Sequence, residues 1–134
     1  MQINSNKELV KAFMTKGIVA INEEKDVLFV AKKMVELDIG TIILVHKTGK
    51  VTGIVRDKDI VFKVVAEELE PSKIKAKNIA ENVITIDMNA TIDEALTKMA
   101  EESVDHLVVT SGNRIVGIFS IRDFIDLERH RYSL

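Results

Sequence analysis

Cysteine is absent from this 134-residue chain, which excludes disulfides and thiolate chemistry. Aromatic residues are only 4% of the sequence, so a core has to come from Ile, Val, Leu, Met and Ala. Proline occurs once, at position 71. No apolar run is long enough to span a bilayer, and the first residues lack the pattern of a secretory signal. A cytoplasmic location is the expectation. An excess of one charge is also missing: 19 Lys and Arg face 21 Asp and Glu, a formal charge of −2. That gives no electrostatic reason for a nucleic-acid or membrane partner. His46, His106 and His130 lie far apart without ligand spacing, so no metal site is expected. What is present is 46% hydrophobic and 30% charged residues, the balance of a globular chain with a real core.

In chain order, Ser5-x-x-Glu8 has the form of a capping box ahead of Leu9, Val10, Phe13 and Met14. It predicts a short helix, stopped at Lys16-Gly17. Residues 18–21 predict a strand. Asp26 is placed to cap a helix over 27–37, with Val27, Val30, Ala31 and Met34 on one face. Asp38-Ile39-Gly40 ends it. Residues 41–46 and 51–55 predict two strands joined by a hairpin at Lys47-Thr48-Gly49-Lys50. A helix from about Asp57 to Glu70 follows, closed by Pro71.

The second half replays this order. A strand is predicted over 83–86. Thr91-x-x-Glu94 caps a helix with Ile92, Ala95, Leu96 and Met99 inward. Strands over 107–109 and 115–119 flank a hairpin at Ser111-Gly112-Asn113. A last helix from Ile121 carries Phe124, Ile125 and Leu127. Ile21 to Ile86 and Met34 to Met99 both span 65 positions, and Gly53 to Gly117 spans 64, because the second hairpin is one residue shorter. A shift at a loop is what a repeat tolerates. One copy has little core, so two copies packed face to face are expected, in an α/β (α+β) fold of two pseudo-twofold-related β-α-β-β-α repeats. The expected division is repeat 1 over 8–70, linker over 71–78, repeat 2 over 79–128 and a tail over 129–134. Ile60, Val61, Phe62, Val64, Val65 and Leu69 cover more than one helix face, so a homodimer through the helices after each motif is expected.

Two strand-to-helix junctions share one frame: Gly53-Ile54-Val55-Arg56-Asp57-Lys58-Asp59 and Gly117-Ile118-Phe119-Ser120-Ile121-Arg122-Asp123. Set behind the same run of elements, they resemble the Gly, two apolar, Ser or Thr, any two, Asp motif of cystathionine-β-synthase (CBS) domains. Two such domains in tandem resemble a Bateman module. The resemblance implies binding of adenosine-containing ligands (AMP, ADP, ATP or S-adenosylmethionine) in a cleft between the repeats, with no cofactor required. It implies that Asp59 and Asp123 accept from ribose hydroxyls and that Ser120 holds the ribose or first phosphate, helped by backbone N–H groups. One implied site comprises Val19, Ala20, Ile39, Gly40, Thr41, Ile118, Ser120, Arg122 and Asp123. The other comprises Ile54, Arg56, Lys58, Asp59, Ile84, Thr85, Val104, Asp105 and His106. Arg56 stands where the family has Ser or Thr; it can offer a guanidinium to phosphate, fill the pocket, or pair with Asp57 or Asp59. Ser120-x-x-Asp123 is equally a capping box. The chain shows no P-loop, no Gly-rich dinucleotide fingerprint and no Ser-His-Asp set, so an enzyme is not expected. The implied function is a non-catalytic sensor that modulates a separately encoded enzyme or transporter. The alternative is an interaction scaffold that binds no ligand.

Overall fold

Six short strands, β1 Ala20–Asn22, β2 Thr41–Val45, β3 Val51–Arg56, β4 Thr85–Asp87, β5 His106–Ser111 and β6 Arg114–Ser120, form two three-stranded sheets in the computed structural model, which describes residues 6–122 and 125. The sheets have orders β1-β2-β3 and β4-β5-β6. In each, the first pair is parallel and the second antiparallel. Helix α1 (Val27–Leu37) and helix α3 (Ile92–Glu102) make the parallel crossovers. Helix α2 (Asp57–Ile60) leaves the end of β3. The fold is the expected mixed α and β architecture in two matching copies.

The caps read from sequence form as expected. Asp26 Oδ1 accepts from Phe29 N at 2.8 Å, and Thr91 Oγ1 accepts from Glu94 N at 3.1 Å. Both helices end on a left-handed residue, Asp38 (φ 54°) and Ser103 (φ 55°).

Two helices differ from expectation. Around residues 8–14 only a 3₁₀ turn forms, Val10–Ala12. It stops after one turn because the next amide is taken across the sheet edge: Met14 N still donates to Val10 O at 3.0 Å, but Thr15 N donates to Ile118 O at 2.8 Å. Ser5 of the expected capping box lies outside the described residues. The helix expected over 57–70 is α-helical only to Ile60, widens into a π turn over Val61–Val65, and stops near Glu68, whose φ is 57°. Ala66 N donates to Val61 O and Leu69 N to Val64 O, both one residue longer than an α-helical bond. Val61, Val64 and Val65 are β-branched, the type least favoured in a tight α-turn.

The packing units cut across the sequence repeats. One unit is Ile18–Val83; the other joins the segment ending at Gly17 to the chain from Ile84 onward. Each has its own core. The first is built on Ile21, Val27, Val30, Met34, Ile42, Leu44, Val55, Val64, Ala76 and Ile79. The second is built on Val10, Ile86, Ile92, Ala95, Met99, Leu107, Val109 and Phe119. Alternate strand residues lie on the opposite sheet faces, where Ile43 opposite Ile54 and Val108 opposite Ile118 are also buried.

Candidate functional site

Each sheet closes its open edge with a segment from just before the other copy's first strand. Thr15 and Ile118 exchange backbone hydrogen bonds of 2.8 and 2.9 Å, and Ile54 and Glu81 exchange bonds of 3.0 and 2.9 Å. The motif glycines permit this approach. A Cβ on Gly53 would sit 2.9 Å from Ala80 Cβ, and one on Gly117 would sit 2.8 Å from Thr15 O.

The two junctions repeat one hydrogen bond. Asp57 N donates to Gly40 O at 2.9 Å, and Ile121 N donates to Asp105 O at 2.8 Å. Each ties the start of the motif helix to the corner after the preceding helix. In the Ile18–Val83 unit, Thr41 lies opposite Arg56, Ala20 pairs with Ile43, and Val19 O accepts from Ile43 N. The expected residues Val19, Ala20, Ile39, Gly40, Thr41, Arg56, Lys58 and Asp59 therefore cluster at one end of a single sheet. In the other unit, His106 lies opposite Ser120, Thr85 pairs with Val108, and Ile84 O accepts from Val108 N. That groups Ile84, Thr85, Val104, Asp105, His106, Ser120 and Arg122 in the same way. Ile54 and Ile118 are buried two residue pairs inward from Arg56 and Ser120. Asp123 lies outside the described residues, as do Phe124, Leu127 and His130.

Side chains at the two ends differ sharply. Asp59 is 2% exposed. Its Oδ2 accepts from Arg56 N at 2.8 Å, and its Oδ1 is 3.1 Å from Lys63 Nζ. Lys63 Nζ also donates to Ile79 O at 3.0 Å and lies 3.7 Å from Glu81 Oε1. Glu81 Oε2 is 3.5 Å from Arg56 Nη2. Burial pushes the Asp59 carboxyl up, but hydrogen bonding from the Glu81 side chain, the Arg56 N–H and Lys63 outweighs it and holds the group below the usual carboxylate range. At the other end His106 is buried, with Nδ1 3.1 Å from Asp105 Oδ1 and, among the described residues, no hydrogen-bond partner on Nε2.

Of these residues, Lys63 and Glu81 were not expected from sequence. Lys63 stands four positions after Asp59, the spacing of a helical ion pair, so its signal was present. Glu81 carried none, because only the sheet-edge pairing brings it there. Among the described residues no group of three or more His, Asp or Glu is placed to hold a metal ion. No helix among them is long and apolar enough to cross a membrane.

The family profile described as CBS domain matches residues 10–66 and 76–130. Hypoxic response protein 1 of Mycobacterium tuberculosis is 32% identical over 111 residues, 82% of this chain and 78% of that protein. Its crystal structure with two coordinated zinc ions matches with a TM-score of 0.70 over 88% of this chain and 97% of that one, at 30% identity. An uncharacterized conserved protein from Pyrococcus horikoshii matches with a TM-score of 0.83 at 29% identity, covering 96% and 98% of the two chains. A CBS domain protein from Pyrobaculum aerophilum complexed with AMP shares the fold at 24% identity and a TM-score of 0.75, over 86% and 88%. The chain spans 66% to 78% of the length of the first curated relatives it matches.

Proposed function

The chain belongs to the CBS-domain family, with two domains in tandem, and from that premise we propose that it is a non-catalytic sensor of adenosine-containing ligands. The observation that carries this reading is the doubled strand-to-helix junction, each copy ending in an Asp and each joined to its corner by the same hydrogen bond. The Asp123 junction, with Ser120 ahead of it, has the conventional residue types. Ligand would favour one arrangement of the module and so bias a separately encoded enzyme or transporter. AMP is the first ligand to test, since a protein of the same fold is complexed with it. The test is a thermal unfolding series with AMP, ADP, ATP and S-adenosylmethionine at millimolar concentration. Ligand at about 100 times Kd adds about 2.7 kcal/mol, a shift of several degrees. No shift with any of the four overturns the proposal.

The second reading is a scaffold that binds no ligand. It is favoured by the engagement of Asp59 with Lys63 and the backbone of Arg56. Either reading goes with a homodimer. Val61, Phe62, Val65 and Leu69 are each between 46% and 61% exposed on one short stretch, and Ile125 is 53% exposed. Light scattering should return twice the 15.0 kDa chain mass, and Phe62→Lys should return the monomer. A monomeric wild type refutes the dimer.

A further inference from the structure

The Asp59 carboxylate has both oxygens engaged. Oδ2 closes the first turn of α2 on Arg56 N, and Oδ1 faces Lys63 Nζ at 3.1 Å. The Lys63 ammonium lies 3.1 Å from Asp59 Oδ1, donates to Ile79 O at 3.0 Å and has Glu81 Oε1 at ion-pair distance, 3.7 Å. Glu81 in turn reaches Arg56, and its own backbone is fixed by two hydrogen bonds to Ile54. The result is a closed set of two basic and two acidic side chains anchored on the sheet edge. A ribose diol that approached Oδ1 would have to compete with Lys63 Nζ for an oxygen that is already engaged, on a carboxylate only 2% exposed.

The second junction lacks these residues in its sequence. Under the repeat register Arg56 corresponds to Ser120, Asp59 to Asp123 and Lys63 to Leu127. The edge position of Glu81, opposite Ile54, is held by Thr15 opposite Ile118. At these two matched positions the sequence carries neither an ammonium nor a carboxylate.

We propose that Lys63 and Glu81 are specificity-determining residues that withhold Asp59 from ligand, so that each chain takes up one adenine nucleotide and not two. This rests on the sensor reading above. The Asp59 cluster is then a permanent clasp between the motif turn and the 79–81 segment.

Two measurements on the full chain test it. Calorimetric titration with AMP should give one molecule per wild-type chain. The Lys63→Leu/Glu81→Thr variant, which copies the residue types of the second junction, should take two. Two AMP per wild-type chain overturns the proposal, as does a folded double variant that still takes one. The other measurement needs no nucleotide. In urea unfolding of Asp59→Asn, Lys63→Met and the double substitution, the effects on the unfolding equilibrium should be non-additive by on the order of tenfold. Additive effects show that Lys63 does not hold Asp59 and overturn the clasp. If neither protein takes up AMP, ADP, ATP or S-adenosylmethionine, the sensor reading and the one-site count both fall, and the unfolding cycle alone decides the clasp.

Discussion

Glu24, in the turn after β1, carries two ammonium partners, Lys75 at 2.8 Å and Lys77 at 2.7 Å. Hydrogen bonding from Lys75 first, then Lys77, lowers its carboxyl to about 2, from an ordinary value of 4.5. The folded state therefore binds this proton less readily than the unfolded chain. The pair's contribution to stability is complete above the ordinary value and is lost as pH falls from about 4.5 toward 2. Asp59 has the same sign, being also held low. Unfolding followed between pH 6 and 2.5 should show stability falling with acid, and Glu24→Gln should flatten that fall. Because the three side chains are about half exposed, the difference should shrink in 1 M salt, where the screening length is about 3 Å. A variant that parallels wild type at low salt would show that the pairs contribute nothing measurable. At this scale the sequence was partly readable. The motif residues and the cap of Asp26 stand in local patterns that a reader can recognise. Lys77 with Glu24, and Glu81 with Arg56, pair across long sequence separations that no spacing announces.

Helices α1 and α3 end alike, each on a left-handed residue that carries a side chain. Such a conformation costs a non-glycine residue about 1–2 kcal/mol, while glycine's extra chain entropy returns about 0.5–1 kcal/mol of that. Ser103 is exposed and only its backbone N–H is used, toward Ala100 O and Met99 O. Ser103→Gly should therefore stabilise the protein by about 0.5 kcal/mol, read as a small rise in thermal midpoint. A fall in midpoint would mean that the serine side chain does something at the corner that the cap geometry does not reveal. Strands, hairpins and these two helices were legible because each rests on local periodicity and capping residues. The segment at 9–15 was not. Its apolar spacing suits a helix, but Thr15 N donates to Ile118 O across the sheet edge, so a tertiary hydrogen bond overrides the local preference. The helix after Asp57 was legible in its start and not in its course, since a π turn differs from an α-turn by one hydrogen-bond register and leaves the residue pattern unchanged.

Across the whole chain, the repeats of the sequence and the units of packing share their centres and differ at their edges. The sequence register places one copy over 8–70. The packing unit is Ile18–Val83. The difference is physical: Ala76 and Ile79 are buried in the core with Ile21 and Val64, and Glu81 pairs with the edge strand at Ile54. Val10, conversely, is fully buried among Ile86, Ile92 and Phe119. A fragment of residues 8–70 would lose Ile79, whose burial is worth about 1.5–3 kcal/mol, along with the edge pairing that Gly53 makes room for. It would also expose Val10. A fragment of residues 18–83 keeps the Ile79 burial and the Ile54–Glu81 pairing, and carries no Val10 to expose, at nearly the same length. Small domains have stabilities of only about 5–15 kcal/mol, with those of this size at the low end, so the difference is enough to decide folding. Circular dichroism melts should show a cooperative transition for 18–83 and a weaker one, or none, for 8–70. Equal melts would mean that the 76–81 segment is dispensable, and that the glycine of the motif is kept for something other than the strand edge it admits.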